Sequence, residues 1–207
     1  IYVTSDQGHI YQVDAESGHA AKHTKLPMST RLPVGIDERR GKLYQVGHHD
    51  NLYVIDRETM NCQGVYYLGH KPGTIKIPPA VVLGHIFVAE EILADDPLNN
   101  VTIIHVLRTN EEGLELEQIQ APIRLSGRVR VPMFSSRRRI LMVTDLGEIN
   151  LIDVDLNSPE RPVIEAASQP AHFLEPTLAF TLFDRGHLWV GEKKMTKYQV
   201  QTSTGKL

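Results

Sequence analysis

Apolar residues in this chain come in short β-branched and aromatic runs separated by turn residues, not at helical spacing. Ile1-Tyr2-Val3 is followed by Asp6-Gln7-Gly8, then Ile10-Tyr11-Gln12-Val13, then Asp14-Ala15-Glu16-Ser17-Gly18. The order predicts strand, tight turn, strand, tight turn: Gly8 supplies the positive φ of a hairpin, and Asp14 and Gly18 bracket the second turn. The pattern returns at Leu43-Tyr44-Gln45-Val46, Ile86-Phe87-Val88-Ala89, Leu141-Met142-Val143-Thr144 and Leu188-Trp189-Val190-Gly191. The copies start at residues 1, 43, 86, 141 and 188, in steps of 42, 43, 55 and 47. A period of about 40–50 residues with four strands per unit predicts β-propeller blades.

Prolines support the register. Pro33, Pro79, Pro132 and Pro176 each precede the first apolar run of a copy, where a missing N–H donor does not break a ladder. Outer strands are expected at 19–25, 62–69, 114–119 and 161–166, with Val65 and Tyr67 on one face of the second. The long third step is assigned to a polar connection over 90–100, which Pro97 and Asn99-Asn100 keep from becoming a helix. The third copy's next turn is expected to end at Gly113, and the fifth copy to close through Thr202-Ser203-Thr204-Gly205. The expected fold is all-β: a β-propeller of four-stranded antiparallel blades, divided as 1–30, 31–75, 76–127, 128–171 and 172–207. The first copy lacks an inner strand and the last an outer one. The five units are therefore expected to be a segment of a larger ring of roughly seven or eight blades, since unpaired edges invite aggregation.

The repeat Asp6-x-Gly8-x-Ile10-Tyr11-x-Val13-Asp14-Ala15-Glu16-Ser17-Gly18 resembles the pyrroloquinoline-quinone-like, or quinoprotein-like, propeller repeat. It weakens to LYQVGHHDNLYVIDRET in the second copy and MVTDLGEINLIDVD in the fourth. The resemblance implies a propeller fold and favours an extracytoplasmic place, in the periplasm or cell envelope. Members often dock blades through an outer-strand tryptophan. Trp189, the one tryptophan here, falls in a second strand, so the blades are expected to pack through aliphatic contacts, with Tyr66 and Tyr67 substituting in one. Quinone enzymes of this fold use a vicinal cysteine disulfide, calcium and a catalytic aspartate. Cys62 is alone, so no cofactor is predicted, and quinone with calcium stays only as the alternative of a channel-sited dehydrogenase.

Composition adds little. The chain has 207 residues, 41% hydrophobic and 23% charged, and a net charge of -3, which gives no electrostatic case for nucleic acid. No apolar run approaches the roughly 20 residues of a membrane span. The histidine-rich His48-His49-Asp50 stands where the first copy has its hairpin turn, and adjacent side chains at a strand end are expected to diverge rather than bind a metal. His9, His85 and His187 are expected at solvated strand starts. Arg137-Arg138-Arg139 falls in the first turn of the fourth copy, a solvated turn or a contact for a phosphate or lipid headgroup. Asn100-Val101-Thr102 matches the N-glycosylation acceptor.

Two surfaces remain as candidates. Arg31 and Arg130 lie two residues before Pro33 and Pro132, at equivalent places near the channel mouth, and are the expected contacts for an anionic ligand. Glu90, Glu91, Asp95 and Asp96 mark the inserted connection as the expected loop for a protein partner, because insertions in repeats map to loops on one face. The expected function is a non-catalytic binding or scaffold module. A channel-sited enzyme and an outer-membrane assembly factor, similar to the propeller lipoprotein of that machinery, are the alternatives.

Overall fold

The computed structural model describes residues 1–69, 71–110, 115–158, 161–184 and 186–199. The turn expected to end at Gly113 and the closing stretch 200–207 lie outside them. The described residues form five antiparallel sheets in chain order. The first sheet holds β1 (Tyr2–Thr4), β2 (His9–Val13) and β3 (Ala20–Lys25). The second holds β4 (Gly35–Asp37), β5 (Lys42–Val46), β6 (Asn51–Asp56) and β7 (Cys62–Tyr67). The third holds β8 (Ala80–Val82), β9 (His85–Ile92), β10 (Val101–Thr109), β11 (Leu116–Gln118) and β12 (Ile123–Ser126). The fourth holds β13 (Phe134–Ser136), β14 (Arg139–Val143), β15 (Ile149–Val154) and β16 (Val163–Gln169). The fifth holds β17 (Phe180–Asp184), β18 (His187–Gly191) and β19 (Met195–Gln199). The inner strands line up side by side, β4 against β8, β8 against β13 and β13 against β17. No sheet combines strands from the two ends of the chain among the described residues.

Strand alternation explains the stacking. In β9, Ile86 and Val88 point to the second sheet and join Tyr44, Val46, Leu52 and Val54, whereas Phe87 and Ala89 point to the fourth and join Ile140, Met142, Ile152 and Val154. Leu141, Val143, Leu188 and Val190 bind the fourth sheet to the fifth, and Ile10, Leu43, Tyr53 and Ile55 the first to the second. The contacts are mainly aliphatic. Tyr66 packs into the cluster between the second and third sheets, while Tyr67 is exposed beside Val65. Trp189 stays half-buried on β18 under Lys197, whose Nζ lies 5.0 Å from the ring centroid.

Four expectations change. The third step is long partly because β9 and β10 are long: Glu90 and Glu91 are strand residues of β9, paired with Ile103 and Thr102, and the connection begins only at Leu93. Pro97 does not limit a helical turn but starts one, a 3-10 turn over Pro97–Asn99 that Asp96 caps by accepting from Leu98 N–H at 3.0 Å. The outer strand of the third sheet is split, β11 pairing with the end of β10 and β12 with its start. His85 is buried rather than solvated. Its Nδ1 lies 3.1 Å from the Leu83 carbonyl oxygen, and burial pushes the imidazole below its usual range.

Candidate functional site

One face collects the hairpins between second and third strands and the connections between sheets. Backbone bonds zip the two together: Leu26 N–H donates to Gly8 O, Gly73 N–H to His48 O and Gly127 N–H to Asn100 O. Each inner strand is entered by a segment that runs alternately in and out. Ile75 and Ile77 are buried around exposed Lys76, and Val129 is buried beside exposed Arg130. Arg31, Lys76 and Arg130 each stand four residues ahead of the first residue of their inner strand, Gly35, Ala80 and Phe134. They are equivalent positions of three successive sheets.

From the sequence, Arg31 and Arg130 are identifiable and Lys76 is not. The proline that matches Pro33 and Pro132 is Pro78, two residues before β8, and counting from Pro79 lands on Ile77. The signal that finds Lys76 is the paired register, not the proline alone.

A second row faces these cations. His48, Glu91 and Asp145 match one another, each four residues past the inner-strand partners Tyr44, Phe87 and Leu141. Arg130 of the fourth sheet reaches back to Glu91 of the third, Nη1 to Oε1 at 3.6 Å. Glu91 is 5% exposed. Burial pushes its carboxyl above the usual carboxylate range; Arg130, Arg128 and Lys76 oppose the rise and Asp145 adds to it. Arg128 holds Asp145 twice, backbone N–H to Oδ1 and Nε to Oδ2, both at 2.8 Å. Gly127, at φ 88, leaves room for this clamp, since a Cβ there would stand 2.8 Å from Asp145 Oδ1.

Lys76 has no carboxylate at the matching position of the preceding sheet, which is His48. It lines, with Arg31, Thr30, Gly47 and His48, an open groove of about 410 Å³. Neither Arg31 nor Lys76 has an ion-pair partner among the described residues. Of the three equivalent cations, Arg31 and Lys76 therefore lack an ion-pair partner among the described residues, and Arg130 is partly neutralised. The arrangement can hold a carboxylate or other anion in the groove. The imidazoles of His48 and His49 do not diverge: their centroids are 5.2 Å apart. No group of three or more metal-ligating side chains gathers among the described residues.

The expected partner loop divides. Glu90 is paired with His105, Oε2 to Nε2 at 2.8 Å, and Glu91 belongs to the ionic cluster. Asp95 and Asp96 are exposed on the connection. Asn100 pins that connection from below, its Oδ1 accepting from Ala94 N–H at 2.8 Å. Asn100 is also buried, so its Nδ2, where a glycan on the acceptor motif would attach, is not open to solvent as it stands. Sequence reading misses the apolar members of the loop, Leu93 and Leu98, which are 66% and 44% exposed.

Glu91 yields a pH prediction. A carboxyl raised in the folded state binds its proton more tightly there than in the unfolded chain. The stability it contributes is present below its ordinary value and lost as pH rises through the raised folded value. The stability of the natural chain relative to Glu91→Gln should therefore fall as pH rises across the mildly acidic range. Urea midpoints of both chains over that range measure it, and a constant difference would show that Glu91 titrates normally.

No helix among the described residues is long and apolar enough to cross a membrane. No family model matches this sequence, and no curated protein matches it. Solved structures do. BamB from Moraxella catarrhalis superposes with a TM-score of 0.52 at 9% identity, over 97% of this chain and 70% of that one. The computationally designed Ika8 protein superposes with a TM-score of 0.63 at 9% identity, over 96% of this chain and 55% of that one. KlHsv2, in a form with loop 6CD replaced by a Gly-Ser linker, superposes with a TM-score of 0.63 at 13% identity, over 97% of this chain and 58% of that one. The chain thus spans between 55% and 70% of the length of these structures. At such identities the likeness is one of fold, and the fold is an all-β propeller of antiparallel blades.

Proposed function

We propose that this chain is a non-catalytic binding module that engages a protein partner through the face carrying the inter-sheet connections. The observation that carries the proposal is the 93–99 connection, which presents Leu93 and Leu98 to solvent while Asn100 and Asp96 hold its backbone. Apolar side chains on a loop that is already ordered suit docking, because little conformational entropy is lost on binding. Asp95 and Asp96 beside them, and Arg31 and Lys76 in the groove of the same face, supply charges of both signs for orientation. The resemblance of the repeat to quinoprotein-like propellers and the likeness of fold to BamB support a scaffold or assembly-factor role outside the cytoplasm. No comparable observation favours a channel-sited enzyme.

A photo-reactive residue at position 98 of the full-length chain, in its own cells, tests this. One discrete protein adduct is expected. Its purified partner should bind Leu93→Ser/Leu98→Ser at least tenfold more weakly, and Arg31→Ala/Lys76→Ala more weakly with the far-UV circular dichroism unchanged. No adduct from positions 93 and 98, or binding indifferent to both double substitutions, would overturn the proposal.

A further inference from the structure

The opposite face carries a different site. There the first hairpins of the third, fourth and fifth sheets surround a cavity of about 760 Å³, open on one side, lined by Leu83, Arg137, Arg138, Arg139, Phe183 and Asp184 among others. Two of these residues defy turn chemistry. The hairpin between β8 and β9 has a two-residue loop, Leu83-Gly84, and that between β13 and β14 has Arg137-Arg138. Such loops need positive φ and favour Gly, Asn or Asp. Leu83 stands at φ 51 and Arg137 at φ 56. A bulky side chain in the left-handed region is strained, and here it occurs twice, in successive sheets, at positions lining one cavity.

Two of the three guanidinium groups that line the cavity share a single carboxylate. Asp153 accepts from Arg138 Nη2 through Oδ2 and from Arg139 Nε through Oδ1, both at 2.8 Å. One carboxylate thus fixes two guanidinium groups and leaves most of their N–H donors unused. Arg137 is exposed and has no ion-pair partner among the described residues. Leu83 and Phe183 supply apolar lining. Three clustered guanidinium groups match the oxygens of one phosphoryl group, which offers more acceptors than a carboxylate.

We infer that this cavity binds a small phosphate monoester whose organic part is apolar, the phosphate meeting Arg137, Arg138 and Arg139 and the organic part Leu83 and Phe183. The site is separate from the partner face and does not depend on it. The concave lining selects a small molecule.

The strained turns give the test an unusual signature. Arg137→Gly should relieve the backbone and remove the free guanidinium together, raising Tm by about 2–4 °C while weakening binding. Calorimetric titration of the full chain with phenyl phosphate, inorganic phosphate, phenol and benzoate is the measurement. Phenyl phosphate is expected to bind at least tenfold more tightly than each of the other three. Arg137→Gly should lose at least tenfold of that affinity with Tm raised, and Leu83→Asn should bring phenyl phosphate close to inorganic phosphate. Phenyl phosphate no tighter than inorganic phosphate or benzoate, or full affinity in Arg137→Gly, would overturn the inference.

Discussion

Phe87→Ala is expected to cost about 3–5 kcal/mol of folding free energy, the range for deleting a fully buried aromatic side chain. Phe87 is 0% exposed and sits on β9, opposite Ala80 on β8 and Val106 on β10. Its small neighbour Ala80 leaves the room that the ring fills, and beyond it the ring belongs to the cluster with Ile140, Met142 and Ile152 of the fourth sheet. Truncation therefore opens a cavity between two sheets, and rigid strands cannot collapse into it as a loop would. A domain of this size should lose about 2–4 °C of Tm per kcal/mol. Val65→Ala, on the exposed face of β7, is the control and should change stability by less than about 0.5 kcal/mol. Urea unfolding of both variants decides the matter. A loss below about 1 kcal/mol for Phe87→Ala would mean that the third and fourth sheets do not close on each other as described.

The same residues show how much the sequence discloses. Leu43-Tyr44-Gln45-Val46 and its four counterparts reveal their strands because turn and strand chemistry are local: a glycine or aspartate at the right step and a β-branched run between. What lies between sheets is not local. Glu90 and Glu91 read as part of a polar connection, yet both lie in β9, because His105 from β10 contacts the Glu90 carboxylate and Arg130 from the next sheet offsets the charge of Glu91. His48 and His49 read as divergent neighbours, yet the hairpin brings their rings together. Arg31 and Arg130 read as equals. Arg130 is committed to Glu91, and the free partner of Arg31 across the groove is Lys76, which only the strand register discloses. The strain at Leu83 and Arg137 is likewise invisible in composition, since it is a property of the two-residue loops that the pairing imposes.

Arg128→Ala should cost about 2–4 kcal/mol, more than Asp145→Ala, although the two remove the same ion pair. The asymmetry follows from burial. Asp145 has a side chain 5% exposed, whereas that of Arg128 is 26% exposed. Without the guanidinium, the Asp145 carboxylate keeps only the Arg128 backbone N–H among the described residues, and a carboxylate out of water with half its partners gone is costly. Without the carboxylate, the guanidinium can turn to solvent and recover hydration, so Asp145→Ala should cost about 1–2 kcal/mol. Glu91 enlarges the difference: Arg128 is one of the cations that hold down its raised carboxyl, and removing it pushes Glu91 further up. A double-mutant cycle on Arg128 and Asp145, read by urea unfolding, should therefore give strongly non-additive losses, the double variant costing little more than Asp145→Ala alone. Additive losses, or equal costs for the two single variants, would show that the pair is solvated and its clamp geometry unimportant. The expected outcome also fixes how ligand experiments on this face are read. Arg128 and Arg130 hold the face together through Asp145 and Glu91, so loss of binding on their removal would report the fold. Lys76 also offsets the charge of Glu91, whereas Arg31 carries no such duty and reports the ligand.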